Sequence, residues 1–520
     1  MIINVTFDAS AAGAPQGFEA DVSYVASLFE ALFTNPVTIN IDVGWGEVDG
    51  QSLSKNSLGE SLQHPSVGYS FAQVEGAAQT IAADGDPLPL LALPTSDPTH
   101  GAIIDPGSAE ARALGLMAPN SGSIDGWIGL ASQPGTFFFD QSQPVDGEFD
   151  AIGVIEHEFS EILGRGAGGG PQYFTVLDMY RYSGHTLDAT GTANPDAFSI
   201  DRGATALQLF NTDPTGDPGD WGTPVNEDAF QAFADSGLAA NLSTVDLIEM
   251  GALGWSDIPA ILNSAFTNVL WTSPTSLIAA NPTLTLANGT IVDNPIHTDA
   301  GQLAGLASGI ADQQSTLQQG LTSVEQMAIA TTTVSTLSYE FFTGKTPTAA
   351  GYQYLIDSSS NPNNLDSPYY ALFNIQNRFI NFAVNLGKDG AGMVPFNDTY
   401  GADTLAQAAT SAYTEIFGFA PAAGKIDTIL NSTVSFNGIS ETRAQYFAAY
   451  GGDGPNGIGA KAAMVGWLLE VAVQSDLGPY AHAADAFLND LALGNAQFNI
   501  DVLTAYGFTH QTPLIGVSGG

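Results

Sequence analysis

The spacing of hydrophobic residues changes near residue 258, and this change divides the chain into two predicted domains. Before it, strand-like alternation such as residues 37–43 mixes with helical spacing such as residues 18–33, and Gly, Pro and Asp fill the loops between them. After it, long segments at helical spacing follow one another. We therefore expect a multidomain chain with an α+β domain over residues 1–257 and an all-α domain over residues 258–520.

The charge of the chain limits its binding partners. Its 520 residues include 54 acidic and 11 basic side chains, which give a formal net charge of −43. Because this charge repels phosphates, we expect no binding to nucleic acid. The excess of carboxylates favours bound calcium as a counterion, and a merely soluble acidic surface is the alternative.

The sequence contains no cysteine, which excludes disulfides, thiolate metal sites and cysteine nucleophiles. His, Asp, Glu and backbone oxygens remain as metal ligands. The N-terminus lacks the basic region of a cleaved signal peptide, and no apolar run reaches the roughly 18 residues of a transmembrane segment. These features are typical of bacterial surface proteins exported by type I secretion, so we expect a secreted, extracellular protein.

Residues 152–165 contain the pattern that most directly predicts chemistry. Apolar residues at helical spacing predict a buried helix, on which His157 and Glu161 are four residues apart and project toward one point. A metal ion fits there, and Glu158 occupies the adjoining face, where a carboxylate takes a proton from metal-bound water. The pattern is HExxE, in which a carboxylate replaces a second imidazole and weakens zinc binding. A paired surface histidine is the alternative.

The first half of the chain resembles a family of bacterial zincin-like metalloproteases. The resemblance rests on the HExxE helix, on the segment Leu-Asp-Met-Tyr-Arg-Tyr at residues 177–182, and on residues 210–221 and 246–255. It implies a zincin-like fold that binds zinc through His157 and Glu161, with Glu158 as general base. Asp178 is our choice for the third ligand, and His185 is the alternative.

An acidic loop in the same half is a candidate calcium site. Asp213, Asp217 and Asp220 are spaced through a segment rich in Gly and Pro. Such a loop can wrap a calcium ion with carboxylates and backbone carbonyls. A solvated acidic turn without a bound ion is the alternative.

The second half resembles the N-terminal domain of the Caulobacter-type S-layer protein. The similarity runs from about residue 262 to the end and is clearest at residues 339–357, 361–370 and 376–386. The resemblance implies a helical anchor domain that binds the O-polysaccharide of outer-membrane lipopolysaccharide and depends on calcium. Because the similarity ends with the chain, one hypothesis is that a natural precursor continues further.

Aromatic side chains in this half are candidate sugar contacts. Tyr352, Tyr369 and Tyr370 offer faces on which sugar rings can stack, and Asn and Gln can pair with sugar hydroxyls. Burial of these aromatic residues in the core is the alternative. Arg378 is a further candidate contact, and its alternative is to order a buried network of Asn and carboxylate groups.

Together these patterns predict a zinc-dependent metalloendopeptidase tethered to the bacterial surface. The expected substrates are S-layer proteins or other surface proteins, held near the enzyme by its lipopolysaccharide anchor. The alternative is a catalytically inactive pseudoprotease that acts as an S-layer accessory or adhesin. Glu161 in place of His favours that alternative, and the presence of Glu158 favours the enzyme.

Overall fold

The structure is a computed structural model. It describes residues 1–84, 86–91, 93–168, 173–193, 195–222, 227–274, 283–285, 290–311, 314–436 and 439–506. Within these ranges, no helix combines the length and the apolar character needed to cross a lipid bilayer.

The helices and strands have the following bounds. The strands are β1 Ile2–Phe7, β2 Thr38–Trp45, β3 Glu47–Val48, β4 Gln51–Ser52, β5 Gly59–Gln63, β6 Gly126–Leu130, β7 Phe137–Phe138, β8 Phe149–Asp150, β9 Arg181–Ser183, β10 Thr186–Leu187, β11 Ala197–Phe198, β12 Gln208–Leu209, β13 Thr283–Thr285, β14 Ile291–Asp293, β15 Thr433–Phe436 and β16 Ile439–Thr442. The α-helices are α1 Phe18–Leu32, α2 Phe71–Ala83, α3 Leu88–Leu91, α4 Gly107–Ala113, α5 Ala151–Ile162, α6 Thr244–Ala252, α7 Ile258–Leu270, α8 Pro295–Ala311, α9 Leu317–Met327, α10 Val334–Thr343, α11 Ala349–Ile356, α12 Ile375–Val384, α13 Met393–Tyr400, α14 Leu405–Phe417, α15 Lys425–Asn431, α16 Arg443–Gly451, α17 Ile458–Ser475, α18 Pro479–Leu493 and α19 Val502–Tyr506.

The chain forms two compact units. Of the described residues, the first unit contains those within 1–264, 303–320 and 493–495, and the second contains those within 265–302, 321–492 and 496–520. The sequence placed the domain boundary at residue 258, where the structure has the start of helix α7. The two compact units are called the first unit and the second unit below.

A four-stranded mixed sheet forms the centre of the first unit, in the order β1-β2-β6-β5. Strands β1, β2 and β6 are parallel, and β5 runs antiparallel to β6 at the edge of the sheet. Alternate residues Ile39, Ile41 and Val43 of β2 are fully buried, as the period of a strand with one apolar face requires. The mixed α and β content predicted for this half is confirmed.

Helix α5 packs against both the sheet and helix α1. The rings of Phe29 on α1 and Phe159 on α5 lie 6.1 Å apart between centroids. Strand β6 carries Gly126 beneath the helix, where a Cβ atom would overlap the side chain of Ile162. This close approach fixes the height of α5 over the sheet and places its polar side chains beside strand β5.

The second unit is mainly helical, and the predicted helical character of the C-terminal half is confirmed in this sense. Helix α17 is buried along most of its length. Its Gly466 lets the backbone of α12 approach closely, because a Cβ there would lie 2.5 Å from the carbonyl oxygen of Phe379. Aromatic rings fill another part of the core, where Trp271 stacks on Tyr352 with centroids 5.1 Å apart.

Two short hairpins interrupt the helical pattern of the second unit. Strand β13 pairs with β14, and β15 pairs with β16, both antiparallel. The expectation of an all-α domain missed them because the paired segments are only three or four residues long, too short to produce a clear alternating pattern.

Candidate metal centre

Helix α5 positions the side chains on which the predicted chemistry depends. It begins after Asp150, whose carboxylate accepts a hydrogen bond from the backbone N–H of Ile152. It ends before Gly164, which adopts a φ of +122° that favours glycine. Its apolar side, including Ile155 and Phe159, is fully buried. The helix is therefore fixed at both ends, with its polar residues on the remaining face.

The structure brings three of the predicted residues together on that face. His157, Glu158 and Glu161 each offer a ligand atom, and these atoms lie within 4.8 Å of one another. Across the part of the chain that the structure describes, no other group of three His, Asp or Glu side chains meets this criterion. The spacing of four residues between His157 and Glu161 explains the convergence, because it places both side chains over one turn.

The tautomer of His157 follows from its neighbours. Its Nδ1 lies 2.8 Å from the carbonyl oxygen of Ala229. Because a carbonyl only accepts, Nδ1 must carry the proton and donate it there. The neutral ring then presents the lone pair of Nε2 toward two carboxylates: Oε1 of Glu161 at 3.6 Å and Oδ1 of Asp220 at 3.5 Å. A basic nitrogen that faces two carboxylate oxygens is suited to binding a cation between them.

The same surroundings determine the proton affinity of His157. Burial and the charge of Arg165 lower the pKa of its imidazole, but Asp220 and Glu161 outweigh them and raise it above the ordinary value. The two carboxylates therefore stabilise positive charge at this ring.

Glu161 is held by residues of the edge strand β5. The hydroxyl of Ser61 donates to Oε2 of Glu161 at 2.6 Å, and the side-chain amide of Gln63 donates to the backbone carbonyl of Glu161. Burial alone raises the pKa of the Glu161 carboxyl, but its interaction with His157, the charge of Arg165 and the Ser61 hydrogen bond lower it to about 2. The group is therefore an anion, as a metal ligand must be.

Glu158 lies beside Glu161 in a more enclosed position. It is 5% exposed, and its Oε2 has no hydrogen-bond partner. Burial and the neighbouring charge of Glu161 raise the pKa of Glu158 well above its usual range. Strand β5 makes room for this carboxyl at Gly59, where a Cβ atom would overlap it.

Arg165 neutralises the carboxylates beneath the group. It is fully buried, its Nε donates to the hydroxyl of Ser160 at 2.7 Å, and its Nη1 pairs with Asp220. Its Nη2 lies 3.7 Å from Glu161 Oε1. The pKa of Arg165 is raised by Asp220, Glu161 and Glu249, which outweigh burial, so the guanidinium is a permanent cation. Its contact with Asp220 is shorter than its contact with Glu161.

The group opens into a large cleft within the first unit. The cleft has a volume of about 1460 Å³, and both strand β5 and the loop around Asp217 line it. Ordinary small-molecule pockets hold about 300–1,000 Å³, so this cleft accommodates an extended polymer. Strand β5 forms its wall with one edge of the backbone unpaired in the sheet.

Asp178 and His185, the two choices for a third metal ligand, are not brought to this group. Oδ2 of Asp178 accepts hydrogen bonds from the backbone N–H of Thr175 and of Gly168, and from the Thr175 hydroxyl. Asp178 therefore fixes its own turn, which explains why an aspartate occurs there. His185 is exposed in the turn between β9 and β10. Neither choice is supported by the geometry.

The three aspartates predicted as a calcium site have different partners. Asp213 accepts from the backbone N–H and the hydroxyl of Thr215, as in a local turn. Asp220 is buried against Arg165, whereas Asp217 lies on the cleft wall. The structure therefore does not gather them around one point, and the loop is better described as a scaffold that delivers Asp220 to the cleft.

The candidate sugar contacts of the second unit are mostly in its core. Tyr352 is fully buried and its hydroxyl lies 2.7 Å from the hydroxyl of Thr336, and Tyr370 is 2% exposed. Arg378 is also buried, and it donates to the backbone carbonyls of Leu365, Ala330 and Phe373. These three predictions are wrong because the aromatic faces and the guanidinium are used in packing. Tyr369 is 43% exposed, and its ring lies against those of Tyr370 and Phe373.

Comparison with known proteins identifies a family in the second half of the chain. Residues 331–513 match the family model of the RsaA N-terminal domain. The match lies in the C-terminal part of the chain and supports its resemblance to an S-layer protein. Among curated proteins, no relative of the chain was found.

Two parts of the site were missed by the sequence. Asp220 reaches His157 from a loop 63 residues further along the chain, and the carbonyl of Ala229 comes from another loop. Arg165 was the available signal, because a buried charge is commonly paired with an opposite charge. The acidic loop that supplies this partner was assigned to calcium instead.

Proposed function

We propose that the first unit is a metal-dependent endopeptidase and that the second unit attaches it to the bacterial surface. The observation that carries the catalytic part is the convergence of His157, Glu158 and Glu161 at one point in a large cleft. The observation that carries the attachment is the match of residues 331–513 to the RsaA N-terminal domain. The zincin-like resemblance of the first half agrees with the first of these.

His157 and Glu161 would hold the metal. The ring of His157 is oriented by the carbonyl of Ala229, and the carboxylate of Glu161 is oriented by the hydroxyl of Ser61. These outer contacts fix the direction of each ligand atom, as is usual in metal sites. A bound zinc ion would polarise the peptide carbonyl and acidify a water molecule. Glu158, which adjoins this point, would accept the proton of that water and deliver it to the leaving nitrogen.

Strand β5 would bind the substrate backbone. It is an edge strand that has β6 on one side only, and its residues 59–61 line the cleft. An extended peptide can add to such an edge through main-chain hydrogen bonds. A peptide bound in this way would have a peptide bond beside Glu158 and Glu161, because both contact β5. Recognition through the backbone suits an endopeptidase acting on S-layer or other surface proteins.

Replacement of Glu158 tests the enzymatic part. Glu158→Gln keeps the shape of the side chain and removes the base, so casein hydrolysis should fall by roughly 100-fold or more while the zinc content stays near one ion per chain. Glu156→Gln is the matched control: Glu156 is a buried glutamate of the same helix that does not line the cleft. Equal activity in both variants would remove Glu158 from the mechanism.

A pseudoprotease remains the second candidate function, and Glu161 is the observation that favours it. A carboxylate in place of the usual second imidazole weakens zinc binding. Purified protein that contains calcium but no zinc, and that cleaves no substrate, would favour a surface-binding accessory or adhesin. Glu161→His should then restore zinc binding, because imidazole suits zinc better.

The second unit would bind the O-polysaccharide of lipopolysaccharide. Tyr354 and Tyr369 are 50% and 43% exposed, and sugar rings can stack on exposed aromatic surface. Because a chain of net charge −43 is repelled by lipopolysaccharide phosphates, attachment would rely on neutral sugar contacts and on calcium bridges. The protein would thus be secreted and held at the outer-membrane surface.

Cell binding by the full chain tests the attachment. We expect the protein to bind cells that display O-polysaccharide, and to bind less when calcium is chelated. The double variant Tyr354→Ala and Tyr369→Ala should bind roughly tenfold more weakly. Tyr24→Ala, an equally exposed tyrosine of the first unit, is the control. Equal binding to cells without O-polysaccharide would contradict this assignment.

A further inference from the structure

The helix alone does not complete a catalytic metal site. Such sites usually use three protein ligands and leave a further position open for water or substrate. Helix α5 offers His157 and Glu161, and Glu158 is needed as the base. The third ligand must therefore come from another element, and the structure does not bring Asp178 or His185 to the group.

Asp220 is the side chain that reaches the right position. Its Oδ1 lies 3.5 Å from His157 Nε2, and Glu161 Oε1 lies 3.6 Å from the same nitrogen. Both separations are longer than the 2.7–3.2 Å of ordinary N–H···O hydrogen bonds. A tetrahedral zinc ion with bonds of about 2.0–2.1 Å holds neighbouring ligand atoms about 3.3 Å apart. Each of the two carboxylate oxygens thus stands at about the distance from Nε2 that separates two ligands of one ion.

The orientation of the His157 ring supports the same assignment. Because Nδ1 donates to the carbonyl of Ala229, the neutral ring has only a lone pair at Nε2. That lone pair faces the carboxylates of Asp220 and Glu161, on the side from which a metal ion would bind the ring. The three atoms come from two separate parts of the first unit, so their meeting is a product of the fold and not of one helix.

Asp220 is also held in the manner of a metal ligand. It is 2% exposed, and the backbone N–H of Asn211 donates to its carbonyl oxygen at 2.8 Å, which fixes the loop. Arg165 donates to its carboxylate and is itself held by Ser160. Ligating carboxylates are commonly oriented by such outer hydrogen bonds. Arg165 therefore acts as a positioning residue for Asp220.

We propose that Asp220 is the third protein ligand of a metal site formed with His157 and Glu161. This inference rests on the proposed function, because it presupposes that His157 and Glu161 bind the metal. It assigns the acidic loop a direct part in that site, and it leaves Glu158 free to act on a water molecule.

A cysteine scan tests the assignment directly, because the chain contains no cysteine. Cobalt is added to four single variants, Asp220→Cys, Glu161→Cys, Asp178→Cys and Asp213→Cys, and the near-ultraviolet absorption is recorded. A thiolate-to-cobalt charge-transfer band arises only when the new thiolate binds the ion. We expect the band in Asp220→Cys and Glu161→Cys, and no band in the other two variants.

The outcomes separate this inference from the proposed function. A band in Glu161→Cys without one in Asp220→Cys would overturn Asp220 as a ligand and leave the metal site in place. A band in Asp178→Cys instead would identify the ligand chosen from the sequence. If wild-type protein binds neither cobalt nor zinc, the proposed function itself fails, and a protonated His157 between two carboxylates accounts for the geometry.

A second variant covers the case in which Asp220→Cys does not fold. Asp220→Asn retains an oxygen that can accept from Arg165, so the fold should survive, as circular dichroism would check. Its zinc affinity, measured by calorimetry, should fall roughly tenfold or more. Asp178→Asn is the matched control and should keep the wild-type affinity. Unchanged zinc affinity in Asp220→Asn would overturn the proposal.

Discussion

The two units differ most in the charge that they bury. The first unit encloses many carboxyl groups away from water, and Glu110, Glu249 and Asp257 have both oxygens without a hydrogen-bond partner. In the second unit the buried cations Arg378 and Lys461 donate to backbone carbonyls, and aromatic rings fill much of the core. Among the described residues, the first unit thus buries many more carboxyl groups than the second unit.

This difference indicates where each unit performs its function. Burying a carboxyl group without a partner costs free energy, so a fold that keeps several of them is specialised for something other than stability. In the first unit, part of this acidity surrounds His157 and Arg165 and suits cation binding. Among the described residues of the second unit, Oδ2 of Asp366 is the one buried carboxyl oxygen without a hydrogen-bond partner. The remaining candidates for recognition in that unit are exposed tyrosines. A catalytic site inside the first unit and sugar recognition on the surface of the second unit agree with the functions proposed for the two units.

The largest effect should come from removing the buried arginine of each unit. Arg165→Met leaves Asp220 and Glu161 without their cation, so the first unit should lose about 3–5 kcal/mol of unfolding free energy. Arg378→Met removes hydrogen bonds to neutral carbonyls, so the second unit should lose only about 1–3 kcal/mol. Hydrogen exchange read by mass spectrometry, followed separately in helices α5 and α17, measures each unit. Equal losses would contradict the contrast between the units.

The second largest difference between the units should be in how their stability depends on pH. Burial raises the pKa of Asp86 from an ordinary 3.8 to about 6. Because the folded state binds this proton more tightly than the unfolded state, its stabilising contribution is fully present below about pH 4 and is lost as pH rises through about 6. The shift corresponds to about 3 kcal/mol. Asp86→Asn should therefore reduce the loss of first-unit stability between pH 4 and pH 8 by about this amount.

Urea unfolding at each pH, followed by a pulse of hydrogen exchange at one fixed pH, resolves this effect by unit. Glu340→Gln is the matched control in the second unit, where burial raises the pKa of Glu340 to about 7. The Glu340→Gln substitution should likewise reduce the loss of stability as pH rises, but only in the second unit. A pH profile of the first unit that is identical in wild-type protein and Asp86→Asn would show that Asp86 titrates normally.

Much of the fold could be predicted because it depends on local patterns. Helix α5 and its site residues followed from apolar spacing, and the helical second half followed from the same period. The hairpins of the second unit were missed because strands of three or four residues leave almost no periodic signal. The sequence could not decide whether Tyr352 and Tyr370 are buried, because an aromatic residue has the same sequence signal in a core and on a surface.

The candidate site also has one part that local sequence spacing predicts and one part that depends on tertiary packing. His157, Glu158 and Glu161 lie on one helix, so their spacing alone predicts that they meet. Asp220 comes from a distant loop, and its approach depends on how that loop packs against Arg165. The choice of Asp178 used a residue that is near in sequence, but the hydrogen bonds from Thr175 and Gly168 turn its carboxylate toward its own turn. Tertiary packing decided between two aspartates that the sequence could not rank.

The smallest effects concern glycine and sharpen the contrast in packing. In the second unit, Gly466→Ala would place a Cβ 2.5 Å from the carbonyl oxygen of Phe379 and 2.8 Å from the Cβ of Ala383. Helices α12 and α17 would have to separate, so we expect a loss of about 1–3 kcal/mol in the second unit. In the first unit, Gly76 lies within helix α2, with nothing within 4 Å of a new Cβ. Gly76→Ala should raise the unfolding free energy of the first unit by up to about 1 kcal/mol, because alanine favours the helix. Denaturant unfolding measures whether each variant has a lower or a higher unfolding free energy than the wild-type protein. A stabilised Gly466→Ala protein would show that α12 and α17 pack less closely than this geometry requires.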